Sequence, residues 1–415
     1  MLSFCKRVIF NRNVMQTPET NEVVVEKLIY GGDGLSRMDG RVVLTPYVLP
    51  GERATVTPDR SKPDLLRTKL VRVDEASPER VTPACPYFLR CGGCHYQHAS
   101  YEYQLIQKQA ILREVLQRVG KVTVGEIETV AGDPWGYRNR SQFQFRSGQL
   151  GYLEAGSHTM VPITHCPVSS PKMNEALLEL QQMMKDRRFP RFVRAMELFT
   201  NETVVQVNIL ETEKPVAKHF FDWCAERIPG SDAGALDYPA AGEMFRVSHN
   251  SFFQVNRHLV DQLVAVALDG AEGESALDLY AGGGLFSLGL ARKIAKVTAV
   301  ESGTSATEDL KFNSERAGVT LTAVKRSVED YLGTLSEAPD FVLADPPRAG
   351  LGKRAVGDLI RLKPRAITIV SCDPATLARD LGPLMGAGYQ IVKTTLVDLF
   401  PQTFHLETVV RLEIA

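Results

Sequence analysis

The chain has 415 residues, 44% hydrophobic and 23% charged, which is ordinary for folded globular domains and excludes a low-complexity or membrane-embedded composition. Its 48 Lys and Arg are matched by 49 Asp and Glu, a formal net charge of -1, so no global basic field announces a nucleic-acid partner. The length exceeds what one core usually fills, which predicts two or three domains.

The opening segment carries Lys6, Arg7 and Arg12 without an apolar signal core. Residues 1–20 therefore read as a leader, or as the result of a start placed upstream of Met15. From 21 to 78, short strands such as Val42-Val43-Leu44 and Ala54-Thr55-Val56 alternate with turns at Gly31-Gly32, Asp39-Gly40 and Leu49-Pro50-Gly51. This pattern predicts a small β-barrel, a fold type often used on nucleic acids. Six basic residues lie between Arg53 and Arg72, against Asp59 and Asp64, and could meet phosphates or form a solvated face. Residues 79–245 read as a mixed central domain. It begins with a cysteine-bearing loop at 83–95 and a helix over 101–119 whose apolar repeat is Leu105, Ile111, Leu112, Val115 and Leu116. Later come the strand Thr203–Leu210 and a second basic run, Lys185–Arg194. From 246 to 415, the apolar strands Ala276–Tyr280, Val297–Val300, Phe341–Ala344 and Ala366–Val370 alternate with helical segments, the pattern of a doubly wound α/β sheet. No stretch reaches the roughly 18–20 apolar residues that cross a bilayer, and a cytoplasmic protein with no membrane partner is expected.

The segment Leu277-Asp278-Leu279-Tyr280-Ala281-Gly282-Gly283-Gly284-Leu285-Phe286 puts a Gly-rich turn between a strand and a helix. Such a turn lets backbone approach a ligand closely, and an acid ending the next strand, Glu301, can hold ribose hydroxyls. The pattern fits NAD or S-adenosylmethionine; Ser287 stands where the dinucleotide fingerprint has its third glycine. Asp345-Pro346-Pro347-Arg348 ends a further strand and faces the same crevice, since ligands of open α/β sheets sit beyond the strands' carboxyl ends. Cys372 follows the strand Ile367–Ser371 and precedes a helix opening at Asp373-Pro374. A helix N-terminus favours thiolate, so Cys372 is a candidate nucleophile, the alternative being a buried structural cysteine. Glu407 follows the apolar, aromatic stretch Phe400–His405 and is either a base of raised pKa or an acid at a strand edge. Seven cysteines with no secretion signal argue against a disulfide scaffold. Cys85, Cys91, Cys94 and Cys166 form a Cys-x5-Cys-x2-Cys set with one distant partner, suited to tetrahedral zinc or to a [4Fe–4S] cluster.

From about residue 22 onward, these motifs resemble the uracil-5 RNA methyltransferases. Tyr30-Gly31-Gly32-Asp33-Gly34-Leu35 and Leu49-Pro50-Gly51-Glu52 resemble that family's N-terminal TRAM domain. Ser251-Phe252-Phe253-Gln254-Val255-Asn256, Ser371-Cys372-Asp373-Pro374-Ala375-Thr376-Leu377 and Phe400-Pro401-Gln402-Thr403-Phe404-His405-Leu406-Glu407 are similar to its blocks. The resemblance implies a class I, Rossmann-like methyltransferase domain at the C-terminus. It implies S-adenosylmethionine contacts from Gln254, Tyr280, Leu285, Glu301, Ser327 and Asp345, with Cys372 as nucleophile and Glu407 as base. It implies a [4Fe–4S] cluster held by Cys85, Cys91, Cys94 and Cys166. RNA is then the partner, 23S rRNA before tRNA, and a monomer the expected state. The chain departs from the family at Ala281, where Cys is frequent, at Gly283-Gly284-Leu285, and at Ser327, where Asn is frequent. Rival readings are a tRNA-directed enzyme and an inactive RNA-binding or assembly factor. Amino-group methylation fits less well, because Arg348, not an aromatic residue, follows Pro347.

Overall fold

A computed structural model describes residues 20–228, 230–231 and 234–414; the expected leader at 1–20 lies almost wholly outside the described residues. The chain divides into two units: one holds Met1–Ile29 and Asp33–Pro78, and the other Tyr30–Gly32 and Glu79–Ala415.

The first unit contains β1 (Asn21–Val24), β2 (Lys27–Leu28), β3 (Asp33–Met38), β4 (Arg41–Pro46), β5 (Arg53–Lys62) and β6 (Leu65–Glu75) in one sheet of order β1-β5-β6-β4-β3-β2. Only β4 and β6 run parallel. Val23, Val25, Val43, Val48, Ala54, Val56 and Leu66 form its small core. The Leu49–Glu52 motif has a local purpose. Glu52 is fully buried, and its carboxylate accepts from the Leu49 amide at 2.7 Å and the Ser77 amide at 3.2 Å. Most of the basic run is ion-paired within the unit: Arg53 with Glu22 and Glu75, Lys69 with Asp59, Arg67 with Asp33, Arg72 with Asp74.

The second unit begins its helices with α1 (Tyr101–Gly120), followed by β7 (Glu128–Val130). An antiparallel sheet comes next, built from β8 (Arg140–Arg146), β9 (Gln149–Leu153), β10 (Met160–Pro162), β11 (Val193–Thr200) and β12 (Val205–Thr212) in the order β10-β9-β8-β11-β12. Helices α2 (Pro171–Met183) and α3 (Lys218–Arg227) close its core with Leu177, Leu180, Phe220 and Trp223. A hairpin of β13 (Leu236–Ala240) and β14 (Glu243–Val247) follows.

The remaining chain is α4 (Val260–Ala267), β15 (Ser275–Leu279), α5 (Leu285–Lys293), β16 (Lys296–Glu301), α6 (Thr304–Ala317), β17 (Thr322–Lys325), α7 (Val328–Leu332), β18 (Phe341–Ala344), α8 (Gly352–Leu362), β19 (Ala366–Ser371), α9 (Pro374–Gly386), β20 (Tyr389–Val397) and β21 (Glu407–Ile414). Its sheet order is β17-β16-β15-β18-β19-β21-β20-β7, with β21 antiparallel to both neighbours. The expected α/β alternation is present. Tyr280, expected within a strand, lies just past β15 with φ +61°, at the start of the Gly-rich turn.

The structure draws one boundary differently from the expected 79–245 domain. β7 extends the C-terminal sheet beside β20, and α1 packs on α9. The reason is close approach: a Cβ on Gly120 would stand 2.3 Å from the Ala378 carbonyl oxygen. Among the described residues, no helix is long and apolar enough to cross a membrane.

Gly120→Ala should force the two helices apart, at a cost of about 1–3 kcal/mol by the usual penalty of overpacking. Thermal unfolding of the full chain is expected to shift to lower temperature; an unchanged melting curve would show that this contact gives way freely.

Candidate active site

β15, β16, β18 and β19 all deliver their carboxyl ends to one rim, and the expected site residues sit along it. Gly284, at φ +94°, caps α5 where a Cβ would stand 2.7 Å from Leu310, so the turn needs glycine both for conformation and for room. Glu301 closes β16, and its carboxylate accepts from the Gly282 amide at 3.0 Å and the Gly303 amide at 2.6 Å. The acid thereby fixes the turn beside the ribose position expected for it. Across the rim, the Asp345 amide donates to the Leu279 carbonyl at 3.3 Å, joining the tips of β15 and β18.

Gln254 comes from the Ser251–Asn256 block. Ser251 donates to the buried Asp309 at 2.6 Å, and Asn256 donates to the Leu399 carbonyl at 3.0 Å, so the block is anchored at both ends. Gln254 is only 7% exposed. Phe252 beside it is 64% exposed. The two weaker expectations have local roles. Leu285 opens α5 and packs its side chain against the core. The Ser327 hydroxyl caps α7 by accepting from the Asp330 amide at 3.1 Å.

Cys372 and Glu407, 35 residues apart, are brought together by register. β19 and β21 pair Ser371 with Thr408, so one step further along these antiparallel strands sets Glu407 opposite Cys372. Glu407 is 5% exposed. Burial, then the neighbouring Asp345, push its carboxyl well above the ordinary range, while Arg348 pulls the other way. Burial also raises Asp345. The Cys372 thiol is pushed up to about 11 by burial, Glu407 and Asp345, with Arg348 opposing. The sequence predicts the reverse, a thiol favoured as thiolate by the helix that follows. Asp373 caps that helix, α9, its carboxylate accepting from Ala375 and Thr376.

Three residues that the sequence reading passed over take part. Arg348 is a cation acting on Glu407 and on the Cys372 thiol. Asp278, wholly buried under the Gly-rich turn and pushed up to about 7 by desolvation, accepts from Ser287 and keeps one oxygen unpartnered. An acid inside an apolar strand was the available signal. Tyr30 donates to the Asp373 carboxylate at 3.3 Å and to the Cys372 carbonyl at 3.4 Å. The rim therefore holds desolvated acids, a set that fits a bound cation such as a sulfonium.

Cys85, Cys91, Cys94 and Cys166 line one cavity of about 550 Å³, with Arg138, Arg140 and Tyr152 around them. Desolvation pushes Cys91 up to about 11 and Cys94 up to about 12, and the other thiols of the set add to this. Among the described residues, no three His, Cys, Asp or Glu side chains are drawn close enough together to hold a single metal ion.

The family model for tRNA (Uracil-5-)-methyltransferase matches residues 239–342 and 335–415. The 23S rRNA (uracil(1939)-C(5))-methyltransferase RlmD of Pectobacterium atrosepticum is 33% identical over 414 residues, covering 93% of this chain and 92% of that protein. An uncharacterized RNA methyltransferase of Aquifex aeolicus is 30% identical, over 95% of this chain and 98% of that one. The Pyrococcus abyssi tRNA (uracil-54, C5)-methyltransferase, solved with S-adenosyl-L-homocysteine, superposes with a TM-score of 0.73 at 26% identity, covering 94% of this chain and 99% of that one.

The raised thiol predicts slow alkylation of Cys372 at neutral pH in the free protein. Site-resolved mass spectrometry after iodoacetamide treatment should show the rate climbing with pH towards a midpoint near 11. Arg348→Ala should move the midpoint higher still. A midpoint below 8 would mean that the helix dipole wins over burial.

Proposed function

The chain belongs to the S-adenosylmethionine-dependent RNA (uracil-C5) methyltransferase family, and on that premise we propose that it methylates a uridine of 23S rRNA, with Cys372 as nucleophile and Glu407 as base. The observation that carries the residue assignment is the register that sets these two side chains face to face at the rim where Asp345 lies. The choice of 23S rRNA rests on the likeness to the Pectobacterium enzyme over almost the whole chain.

Uracil C5 is too poor a nucleophile to attack unaided. Cys372 adds as thiolate to C6, and the C5–C6 π electrons move into an enolate spread over C5, C4 and O4. Bound S-adenosylmethionine supplies an electrophilic methyl group on a sulfonium. C5 would take that methyl as its bond to sulfur breaks, the electron pair staying on sulfur and leaving neutral S-adenosylhomocysteine; the adduct then carries both the methyl and H5 at C5. Glu407 removes H5 as a proton; the released electrons rebuild the C5–C6 double bond and expel Cys372 as thiolate. Cys372 and Glu407 must be ionised, or become so, for this cycle. Arg348 and a cationic ligand beside Asp345 lower the cost of ionisation that burial imposes. Gln254 and Glu301 would hold the amino-acid and ribose ends of the ligand, with Tyr280 beside the turn.

The four clustered cysteines would hold a [4Fe–4S] group, which supplies a rigid inorganic crosslink. The fit is one of chemistry and room: four thiols line one cavity of about 550 Å³, ample for more than a single ion. The free cysteines suit the reducing cytoplasm. For RNA, Phe252 offers an exposed stacking face near Gln254. In the central sheet, Arg146 and Arg191 line a cleft with no carboxylate of their own.

Methylation assays with 23S rRNA and tRNA transcripts test the proposal directly. Activity is expected on 23S rRNA, none with Cys372→Ala, and with Glu407→Gln a methylated protein–RNA adduct that persists on a denaturing gel. Full turnover by Cys372→Ala would remove the nucleophile, and methylation confined to tRNA would move the substrate.

Anaerobically purified protein should be brown and hold about four irons per chain, the content of one Cys₄-held cluster. Cys166→Ala should lose the iron, and protease should then cut faster near residues 83–95. Zinc in place of iron would overturn the cluster while leaving the methyltransferase reading intact.

A further inference from the structure

Glu407 begins β21, paired with Val397 at the end of β20, and the segment joining them is not an ordinary surface loop. Leu399 and Leu406 are fully buried, and Asp398, Gln402 and Thr403 are at most 3% exposed. Four successive carbonyls of this segment are each held by a different part of the chain. Leu399 accepts from the Asn256 amide at 3.0 Å, and Phe400 from the Lys108 ammonium at 2.9 Å. Pro401 accepts from the Tyr137 hydroxyl at 3.0 Å. Gln402 accepts from the backbone amides of His95 at 2.8 Å and Tyr96 at 3.0 Å, immediately after Cys94. At the start of the segment, the Asp398 carboxylate accepts from Lys108 at 2.5 Å and from the Tyr101 hydroxyl at 2.9 Å. Gln104 and Gln402 exchange two further hydrogen bonds, each 3.0 Å.

We propose that this ring of donors is a positioning device for the base, and that Lys108 and Tyr137 are positioning residues for Glu407. The inference rests on the reading of Glu407 as the base. A base must meet its proton within a fraction of an ångström, and a misplacement of about 1 Å can cost on the order of 100-fold in rate. Stability alone explains the arrangement poorly. Lys108 and Asp398 are at 0% and 1% side-chain exposure, and a buried pair of this kind is often no more stable than apolar residues of the same volume. Asn256, Lys108, Tyr137 and the amides of His95 and Tyr96 all donate to carbonyls of this one segment, whose end carries Glu407. Because His95 and Tyr96 follow Cys94 directly, the cysteine loop supplies one point of this support.

Tyr137→Phe removes a single hydroxyl and leaves the ring in place. The double variant Lys108→Met with Asp398→Asn removes both charges, so neither is left buried and unpaired. In Tyr137→Phe and in the double variant, kcat should fall on the order of 10-fold with KM for RNA and S-adenosylmethionine unchanged. The methylated Cys372–RNA adduct should accumulate as it does in Glu407→Gln, since only proton removal is slowed. If the double variant does not fold, Tyr137→Phe decides alone. An adduct in Glu407→Gln but in neither positioning variant, or a loss confined to KM for RNA, overturns the proposal while the base stands. No adduct even in Glu407→Gln removes the base reading and this inference with it.

Discussion

Desolvation of three acidic groups at one rim governs this protein's site. Asp345, Glu407 and Cys372 lie near one another, and burial disfavours the charged form of each. Arg348 is the nearby cation that opposes all of this for Glu407 and Cys372. Burial thus favours the neutral form of each group, and a positive charge brought to this rim works against it.

The topology makes that crowding possible. In a wholly parallel sheet, neighbouring strands send their carboxyl ends to the same rim, and each contributes a residue from its tip. Here the antiparallel β21 inserts between β19 and β20, so its first residue, not its last, reaches the rim. Glu407 therefore arrives opposite Cys372 although it starts its strand. The price is a long return from β20, and the segment Asp398–Leu406 makes that return largely buried, with its Leu399–Gln402 carbonyls hydrogen-bonded.

The strand-and-helix rhythm of the C-terminal sheet, the Gly-rich turn and the pairing of motifs at one rim were legible, because each depends on local pattern. What was not legible came from contacts between distant residues. In α1 the sequence shows an apolar repeat, yet Gln104 and Lys108 are as buried as Ile111 and Leu112. They face a polar segment nearly 300 residues later in the chain, and no helical period reveals such a partner. The placement of α1 and β7 with the C-terminal sheet escaped for the same reason: it turns on Gly120 meeting Ala378. At Cys372 the helix position that favours thiolate is visible in sequence, whereas the burial among carboxyls that opposes it is not.

The basic runs show why local charge in a sequence underdetermines a binding face. Between Arg53 and Arg72, almost every cation already has a carboxylate beside it in the fold. Exposed pairs of this sort are worth little, so phosphates can displace the carboxylates, but the face presents little net field beforehand. In the second run, Arg188 is paired with Asp186 and stacked on Trp223, and Arg194 is paired with Glu213. Arg191 instead rests against Gly148 of the β8–β9 turn, near Arg146, whose guanidinium donates only to the neutral His158 carbonyl. Two cations remote in sequence thus meet at one cleft without a carboxylate in its lining.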